Sequence, residues 1–235
     1  MISCHFSKFF IFTKSQHPNP NTQKMYFLSK DLFFPPVQLA DRSGILAVGG
    51  DLSTERLILA YKSGIFPWFD SDEPILWWAP NSRMVLFPSE FVVSKSLRKI
   101  IKSNVFKVTF NQNFRQVISN CQKISRKGQN GTWISDDILN SYGILHDMGI
   151  AKSVEVWQND QLVGGLYGID LGHVFCGESM FSHVSNASKI AFAALVNDLK
   201  SKNYKLLDCQ VHNDHLESLG CYEISRANFM EILKT

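Results

Sequence analysis

The sequence predicts an α+β fold in which a small N-terminal domain precedes a larger domain built on a central sheet. Three observations predict it. After Pro88 apolar residues recur at helical spacing; between Ser153 and Gly177 they alternate as in strands; and from Phe33 to Pro80 the chain mixes Pro, Gly and aromatics in a segment too short to enclose a large core of its own. Helices, then a meander, then a long helix and a further strand are the order of an α+β domain.

Residues 1–24 end in the polar, turn-rich run HPNPNTQK and are expected to form a disordered extension, with the compact protein starting at Met25. The small domain is expected over 25–82. Within it, Asp51 to Thr54 reads as a helix cap, Leu52, Leu57, Leu59 and Tyr61 feed a short helix, and Gly64 ends it. The larger domain follows over 83–235. Helices at Ser94–Ser103 and Asn113–Ile124 flank a strand at Phe106–Phe110, and Ser135 caps a third helix that carries Ile138, Tyr142, Leu145 and Met148 on one side before Gly149. Strands Ser153–Gln158, Leu162–Asp170 and His173–Gly177, with turns at Asn159-Asp160 and Leu171-Gly172, make an antiparallel meander. An amphipathic helix over Ala187–Lys202 turns Ile190, Ala194, Leu195 and Leu199 inward; a strand at Lys205–Val211 and a short helix at Asp214–Leu219 complete the order.

Of the 235 residues, 45% are hydrophobic, 12% aromatic and 19% charged, which excludes bulk disorder and supports a real core. The longest apolar stretches fall far short of the roughly 20 residues a bilayer core requires, so no membrane span is expected. Five scattered cysteines without a CxxC pair indicate neither a disulfide framework nor a zinc site, and a reducing, cytoplasmic setting fits them. The apolar patch Phe9–Phe12 is too short, and lacks the small-residue cleavage site, for a secretory signal. The net charge of +3 conceals an asymmetry. From Phe91 to Ser135 there are no acidic residues and nine basic ones, leaving 15 basic against 21 acidic in the rest of the chain. Such a segment is either a face for a polyanion or a solvated helical surface that lacks acids.

In KLLDCQV, Asp208 and Gln210 lie two apart on a strand and are expected to share a face. A carboxylate beside an amide in a central strand either does chemistry or caps a neighbouring element. His212, Asn213, Asp214 and His215 follow at once, but their spacing matches no zinc pattern and Asn213-Asp214 reads as a turn and N-cap, so no metal is expected. Glu178 ends the apolar strand Val174–Cys176, where it could anchor an ammonium group or form a structural ion pair. Trp68, Trp77, Trp78, Trp133 and Tyr142 flank the basic segment; such rings stack on bases or belong to the core, as expected for Trp157. The string LVGGLYG lies inside a hairpin rather than before a helix, so it is not a phosphate loop; its glycines allow a bulge or the close approach of a ligand.

The strings DLFFPP, GILAVGGDLS, AYKSGIFPWF, PILWWAP, GTWIS, SVEVWQNDQLVGGLYGI, FCGESMFS, NASK and LLDCQVHNDHLESLG together resemble the bacterial leucyl/phenylalanyl-tRNA protein transferases. The resemblance runs from about Leu28 to the C-terminus. It implies a GNAT-like acyltransferase domain with a central mixed sheet behind the small N-terminal domain. It also implies transfer of Leu or Phe, and of Met, from aminoacyl-tRNA to proteins beginning with Arg or Lys, which marks them for N-degron degradation. The aminoacyl ester is already activated, so direct attack by the α-amine requires neither a protein nucleophile nor a cofactor.

By the same resemblance, Asp208 holds the attacking amine and polarises Gln210, which assists proton movement, and Glu178 stands at the substrate pocket as a second acidic contact. An ordinary Asp, with a pKa of about 3.9, is a weak base toward an amine near about 8, so orientation and electrostatics are expected of Asp208 rather than abstraction. Trp133 would stack on the terminal adenosine of the tRNA with Trp68 alongside and Tyr142 nearby. Leu166, Phe175, Phe192 and Leu195 would line the aminoacyl side-chain pocket, and Lys95, Arg98, Lys99, Lys102, Arg126 and Lys127 would follow the tRNA backbone. Two other readings compete: an acetyl-CoA-dependent N-acyltransferase, against which the glycine-free SHVSNASK weighs, and a noncatalytic RNA-binding module, against which the Asp208/Gln210 pair weighs.

Overall fold

The computed structural model describes residues 25–70, 73–124 and 132–235. The expected 1–24 extension and the basic residues Arg126 and Lys127 lie outside the described residues.

A first sheet holds β1 (Tyr26–Leu28), β2 (Ile45–Gly49), β3 (Phe66–Pro67) and β4 (Leu76–Trp78) in the order β1-β2-β4-β3, with β1 parallel to β2 and the other pairs antiparallel. Helix α1 (Thr54–Lys62) starts where the Ser53 side chain accepts the Arg56 N–H, and ends before Gly64, whose φ of +74° relieves the last turn. Arg56 is buried on α1, and its Nη2 donates to the carbonyls of Ser29 and Asp31 and to the Asp51 carboxylate. It thereby ties the loop after β1 to the helix.

The second sheet has seven strands in the order β11-β5-β10-β9-β8-β7-β6. These are β5 (Ser82–Leu86), β6 (Lys107–Phe110), β7 (Ala151–Gln158), β8 (Gln161–Asp170), β9 (Val174–Ser182), β10 (Leu206–Gln210) and β11 (Tyr222–Ser225). Only β9 and β10 run parallel; every other pair is antiparallel, so the sheet is mixed. The β7–β8 hairpin turns at Asn159 and Asp160, both at positive φ (49° and 58°), as a two-residue turn between twisted strands requires.

Helix α5 (Ala187–Ser201) covers one face of this sheet, joined by Leu97 of α2 (Lys95–Lys102). Helices α3 (Phe114–Lys123), α4 (Asp136–Asp147) and α7 (Arg226–Leu233) contribute to the core on the other face, which is continuous with Ala47 and Trp77 of the first sheet. The first sheet is therefore laid against the second rather than closed on a core of its own, and α1 packs on α4. A short helix, α6 (Asp214–Glu217), follows β10. Among the described residues no helix is long and apolar enough to cross a membrane.

Two local expectations change. Met148 caps α4 and is 54% exposed, so the buried stripe of that helix ends at Leu145. Strand β9 runs on to Ser182 because a bulge interrupts its alternation: Gly168 pairs with Gly177 and Tyr167 with Ser179, leaving Glu178 without a partner on β8. The hairpin glycines serve neighbouring protein atoms and not a ligand. A Cβ on Gly168 would lie 2.2 Å from the Cys176 carbonyl oxygen, and one on Gly164 would lie 2.5 Å from the Ala187 Cβ at the start of α5. Gly168→Ala is expected to cost about 1–3 kcal/mol, read as a lowered thermal midpoint. Gly177→Ala, whose added methyl would meet the Asp208 carbonyl at an ordinary 3.5 Å, is expected to melt close to wild type.

Candidate active site

The two parallel strands at the centre of the second sheet part company at one level. Pairing between β9 and β10 reaches Cys176↔Asp208 and stops. One residue on from Cys176, Gly177 leads into the bulge at Glu178. One residue on from Asp208, Cys209 is the extra residue of a second bulge, since Asp208 faces Val85 and Gln210 faces Met84 on β5. Gln210 then takes a φ of +66°, a left-handed conformation uncommon for a residue of its kind.

Glu178 and Gln210 meet across the gap. The Gln210 Nε2 donates to Glu178 Oε1 at 2.8 Å, and the Tyr142 hydroxyl donates to Oε2 at 3.3 Å. Behind Tyr142 its hydroxyl pairs with that of Tyr61, so a helix of the first unit (α1) and a helix of the second (α4) both reach this carboxyl. Burial pushes the Glu178 pKa up to about 7, with the Asp208 charge adding to it, while hydrogen bonds from Tyr61, Tyr142 and Gln210 pull the other way. Burial and the Glu178 charge push both tyrosines well above their ordinary range, so they remain donors. Glu178 keeps part of its surface open to solvent. It is therefore a carboxyl that can take or release a proton near neutral pH and can still be reached.

Asp208 has no exposed surface. Arg83 on β5 forks onto it, Nε to Oδ1 at 2.8 Å and Nη2 to Oδ2 at 2.7 Å, and Oδ1 also accepts the Gln210 N–H at 2.9 Å. The expectation that Asp208 itself holds an incoming amine is corrected: its oxygens are occupied and shut off from solvent, and its contact with the site runs through the Gln210 backbone. The side chains of Asp208 and Gln210 both turn toward the face that carries Phe229, Tyr61 and Tyr142, while Cys209, the bulged residue between them, packs with the cluster under α5. Tyr142 is corrected as well. It is fully buried beneath Glu178, so it reaches the site only through that carboxyl and offers no surface of its own to the adenosine.

Trp68 is 36% exposed at the end of β3, its ring tilted against Trp78 at 5.3 Å. Trp133 is half-buried just before Ser135, the cap of α4. The two tryptophans thus extend from the segments next to the helices that carry Tyr61 and Tyr142. Leu166, Phe175, Phe192 and Leu195 come together in the apolar cluster under α5, each at most 4% exposed. That cluster reaches Cys209, the bulged residue of β10, and Met180, two residues beyond the bulge of β9. Lys95, Arg98, Lys99 and Lys102 are exposed on α2, and none of the four is in an ion pair among the described residues. His212, Asp214 and Glu217 each place a ligand atom within 4.8 Å of the others on open surface. Asn213 caps α6 as expected, accepting from the N–H groups of His215 and Leu216.

Arg83 and Tyr61 were not among the expected site residues. For Arg83 a signal existed: a cation within SRMVL and an anion within LLDCQV, each inside an apolar strand, have to meet if the strands share a sheet. For Tyr61 there was none, since it reads as one more apolar position of α1.

A family model described as leucyl/phenylalanyl-tRNA protein transferase matches residues 85–234, and one described as the N-terminal domain of that transferase matches residues 50–81. The chain belongs to this family. The leucyl/phenylalanyl-tRNA–protein transferase of Flavobacterium johnsoniae is 71% identical over 211 residues, 90% of this chain and 100% of that one. Those of Flavobacterium psychrophilum and Syntrophobacter fumaroxidans are 60% and 50% identical, covering 89% of this chain and 100% and 89% of theirs. Among solved structures, L-PGS from Bacillus licheniformis is similar at a TM-score of 0.41 and 11% identity, over 72% of this chain and 54% of that one. As a member of the leucyl/phenylalanyl-tRNA protein transferase family, the protein is an aminoacyltransferase.

A carboxyl whose folded pKa is raised, from 4.5 to about 7 for Glu178, contributes stability below the lower value and loses it as pH climbs to the higher one. Wild type is therefore expected to lose stability relative to Glu178→Gln between pH 4.5 and 7, read as the difference in thermal midpoint across that range. A pH-independent difference would show that the Glu178 carboxyl is not held against ionisation.

Proposed function

We propose that the protein transfers Leu or Phe, and also Met, from aminoacyl-tRNA to the N-terminal Arg or Lys of acceptor proteins in the cytoplasm, marking them for N-degron degradation. The observation that carries the reading is the Glu178–Gln210 contact across the parted strands, backed by Tyr142 and Tyr61 on one side and Asp208 on the other.

The reaction needs an oriented amine and somewhere for its proton to go. The α-amine nitrogen attacks the ester carbonyl carbon, a C–N bond forms, the bond from that carbon to the ribose oxygen breaks, and the proton lost by the amine is balanced by one gained at the ribose hydroxyl. With a pKa of about 7, Glu178 is far better matched to an α-amine near about 8 than an ordinary carboxylate is. We assign it the proton transfer, and Gln210 the positioning of the reacting groups. Asp208 acts through Gln210. Trp133 and Trp68 take the terminal adenosine, and the apolar cluster that reaches Met180 and Cys209 receives the aminoacyl side chain. A site that reads apolar bulk discriminates by only ~1–3 kcal/mol per methylene, which fits acceptance of several apolar residues.

The GNAT-like reading of the larger domain is supported by the parallel β9–β10 pair and its parting at the site. The division into units 25–82 and 83–235 is supported by the break between the two sheets at Trp78–Ser82. The same architecture keeps an acetyl-CoA-dependent acyltransferase as the second reading.

The deciding experiment offers labelled Leu-tRNA or Phe-tRNA, and in parallel labelled acetyl-CoA, with peptides that begin with Arg, Lys or Ala. Label from the charged tRNA on the Arg and Lys peptides alone is expected. Acetylation without aminoacyl transfer would establish the second reading instead. The exposed basic face of α2 adds an expectation for binding: log affinity for aminoacyl-tRNA falls linearly with log salt, and Lys95→Glu with Lys99→Glu makes the slope shallower. An unchanged slope in that variant would remove α2 from the tRNA interface.

A further inference from the structure

Gln210 sits at a φ of +66°, where a side chain with a Cβ is strained unless its surroundings hold it. Two contacts hold it: its N–H donates to Asp208 Oδ1 at 2.9 Å, and its side-chain amide donates to Glu178 at 2.8 Å. The first works only if the Asp208 carboxylate keeps one rotamer, and what sets that rotamer is Arg83. The guanidinium is itself fixed on every side: Nε and Nη2 on the two carboxylate oxygens, Nη1 on the Gly64 carbonyl at 3.1 Å, and the rings of Phe66 and Phe229 at 4.7 and 4.5 Å. Arg83 is 2% exposed and touches no solvent through which a substrate could approach.

We propose that Arg83 is a positioning residue of the transfer reaction, acting through Asp208 to hold Gln210 in the backbone conformation that sets its amide against Glu178. The assignment rests on the reading of Glu178 and Gln210 as parts of the reaction site. A planar fork defines the plane and distance of the carboxylate it grips, which a point charge does not. Neutralising Asp208 could be done by any cation. Fixing both of its oxygens, so that one of them also meets the Gln210 N–H, requires the fork.

The test is a double-mutant cycle with Arg83→Lys and Gln210→Ala, reading kcat, KM for Phe-tRNA and thermal midpoint. Arg83→Lys keeps the charge and is expected to lower kcat by roughly ten- to a hundredfold, the range a misplacement of the order of 1 Å produces. KM for Phe-tRNA should stay near wild type. On the Gln210→Ala background, Arg83→Lys is expected to cause no further loss, because the group it positions is gone. A purely structural Arg83 predicts the opposite: losses that multiply, and activity that follows the thermal midpoint and returns on cooling. Either result overturns the proposal.

If Arg83→Lys does not fold, the paired variant Arg83→Gln with Asp208→Asn leaves no charge buried alone. That variant is expected to fold and to be slowed, again without further loss on Gln210→Ala; transfer at the wild-type rate would overturn the proposal. The failures are distinguishable. A wild-type protein that moves no Phe from tRNA refutes the assigned reaction, and full activity in Gln210→Ala refutes the assignment of Gln210. Slow Gln210→Ala with multiplying losses refutes only the role of Arg83.

Discussion

A carboxylate with no exposure in the middle of a sheet is stable only where a cation meets it, and in this protein that constraint organises the molecule. Leaving either charge of the Arg83–Asp208 pair unmatched would cost on the order of 3–5 kcal/mol, so β5 and β10 have to lie side by side and in register. Their pairing brings with it the carbonyl of Gly64 at the end of α1 and the ring of Phe229 on α7, both of which meet the guanidinium. Elements from the start, middle and end of the described chain are thus drawn to one point. That point lies directly beneath the place where β9 and β10 separate.

The separation depends on two extra residues at the same level. Without Glu178 as an added residue in β9, the side chain beyond Gly177 would take its place in the ladder with β8. With Cys209 paired regularly instead of bulged, Gln210 would stand opposite Arg83 on β5 rather than opposite Met84. Each bulge turns its strand out of the ladder, and the freed side chains pair with one another. A gap between strands would normally leave backbone groups unsatisfied. Here the Gln210 N–H is taken by Asp208, so the opening does not leave that donor unpaired.

Much of this was legible in the sequence where the controlling interaction is local. Ser53, within the expected Asp51–Thr54 cap, and Ser135 each cap the helix that follows them, with the side chain accepting an N–H of the first turn, because that bond depends on residues three apart. The Asn159-Asp160 turn was readable for the same reason. The site was legible in composition but not in geometry. Asp208, Gln210 and Glu178 stand together, yet a bulge interrupts the alternation on which a strand reading depends, so β9 runs past Gly177 to Ser182. The family resemblance sets Tyr142 near the adenosine, and nothing in the sequence of its helix distinguishes a residue packed under a carboxyl from one beside a ligand. The pairing of Arg83 with Asp208 spans 125 residues. Only charge balance inside apolar strands could have announced it.

The two carboxyls of the site differ in one respect that decides what each can do. Asp208 has a guanidinium against both of its oxygens; Glu178 has two tyrosines and an amide, all neutral donors, and among the described residues no cation pairs with it. Hydrogen bonds from neutral donors only partly replace lost hydration, so the Glu178 carboxyl rises to about 7, where a proton can leave or arrive at little cost. A cation placed against Glu178 instead would hold it ionised and make it useless as a base toward an amine. The fold therefore commits the Arg83 guanidinium to Asp208, one residue below the opening, and leaves the accessible carboxyl without one among the described residues. Under the proposed reaction, the anion that must stay fixed is then the one out of reach of substrate, and the group assigned the proton transfer is the one in reach.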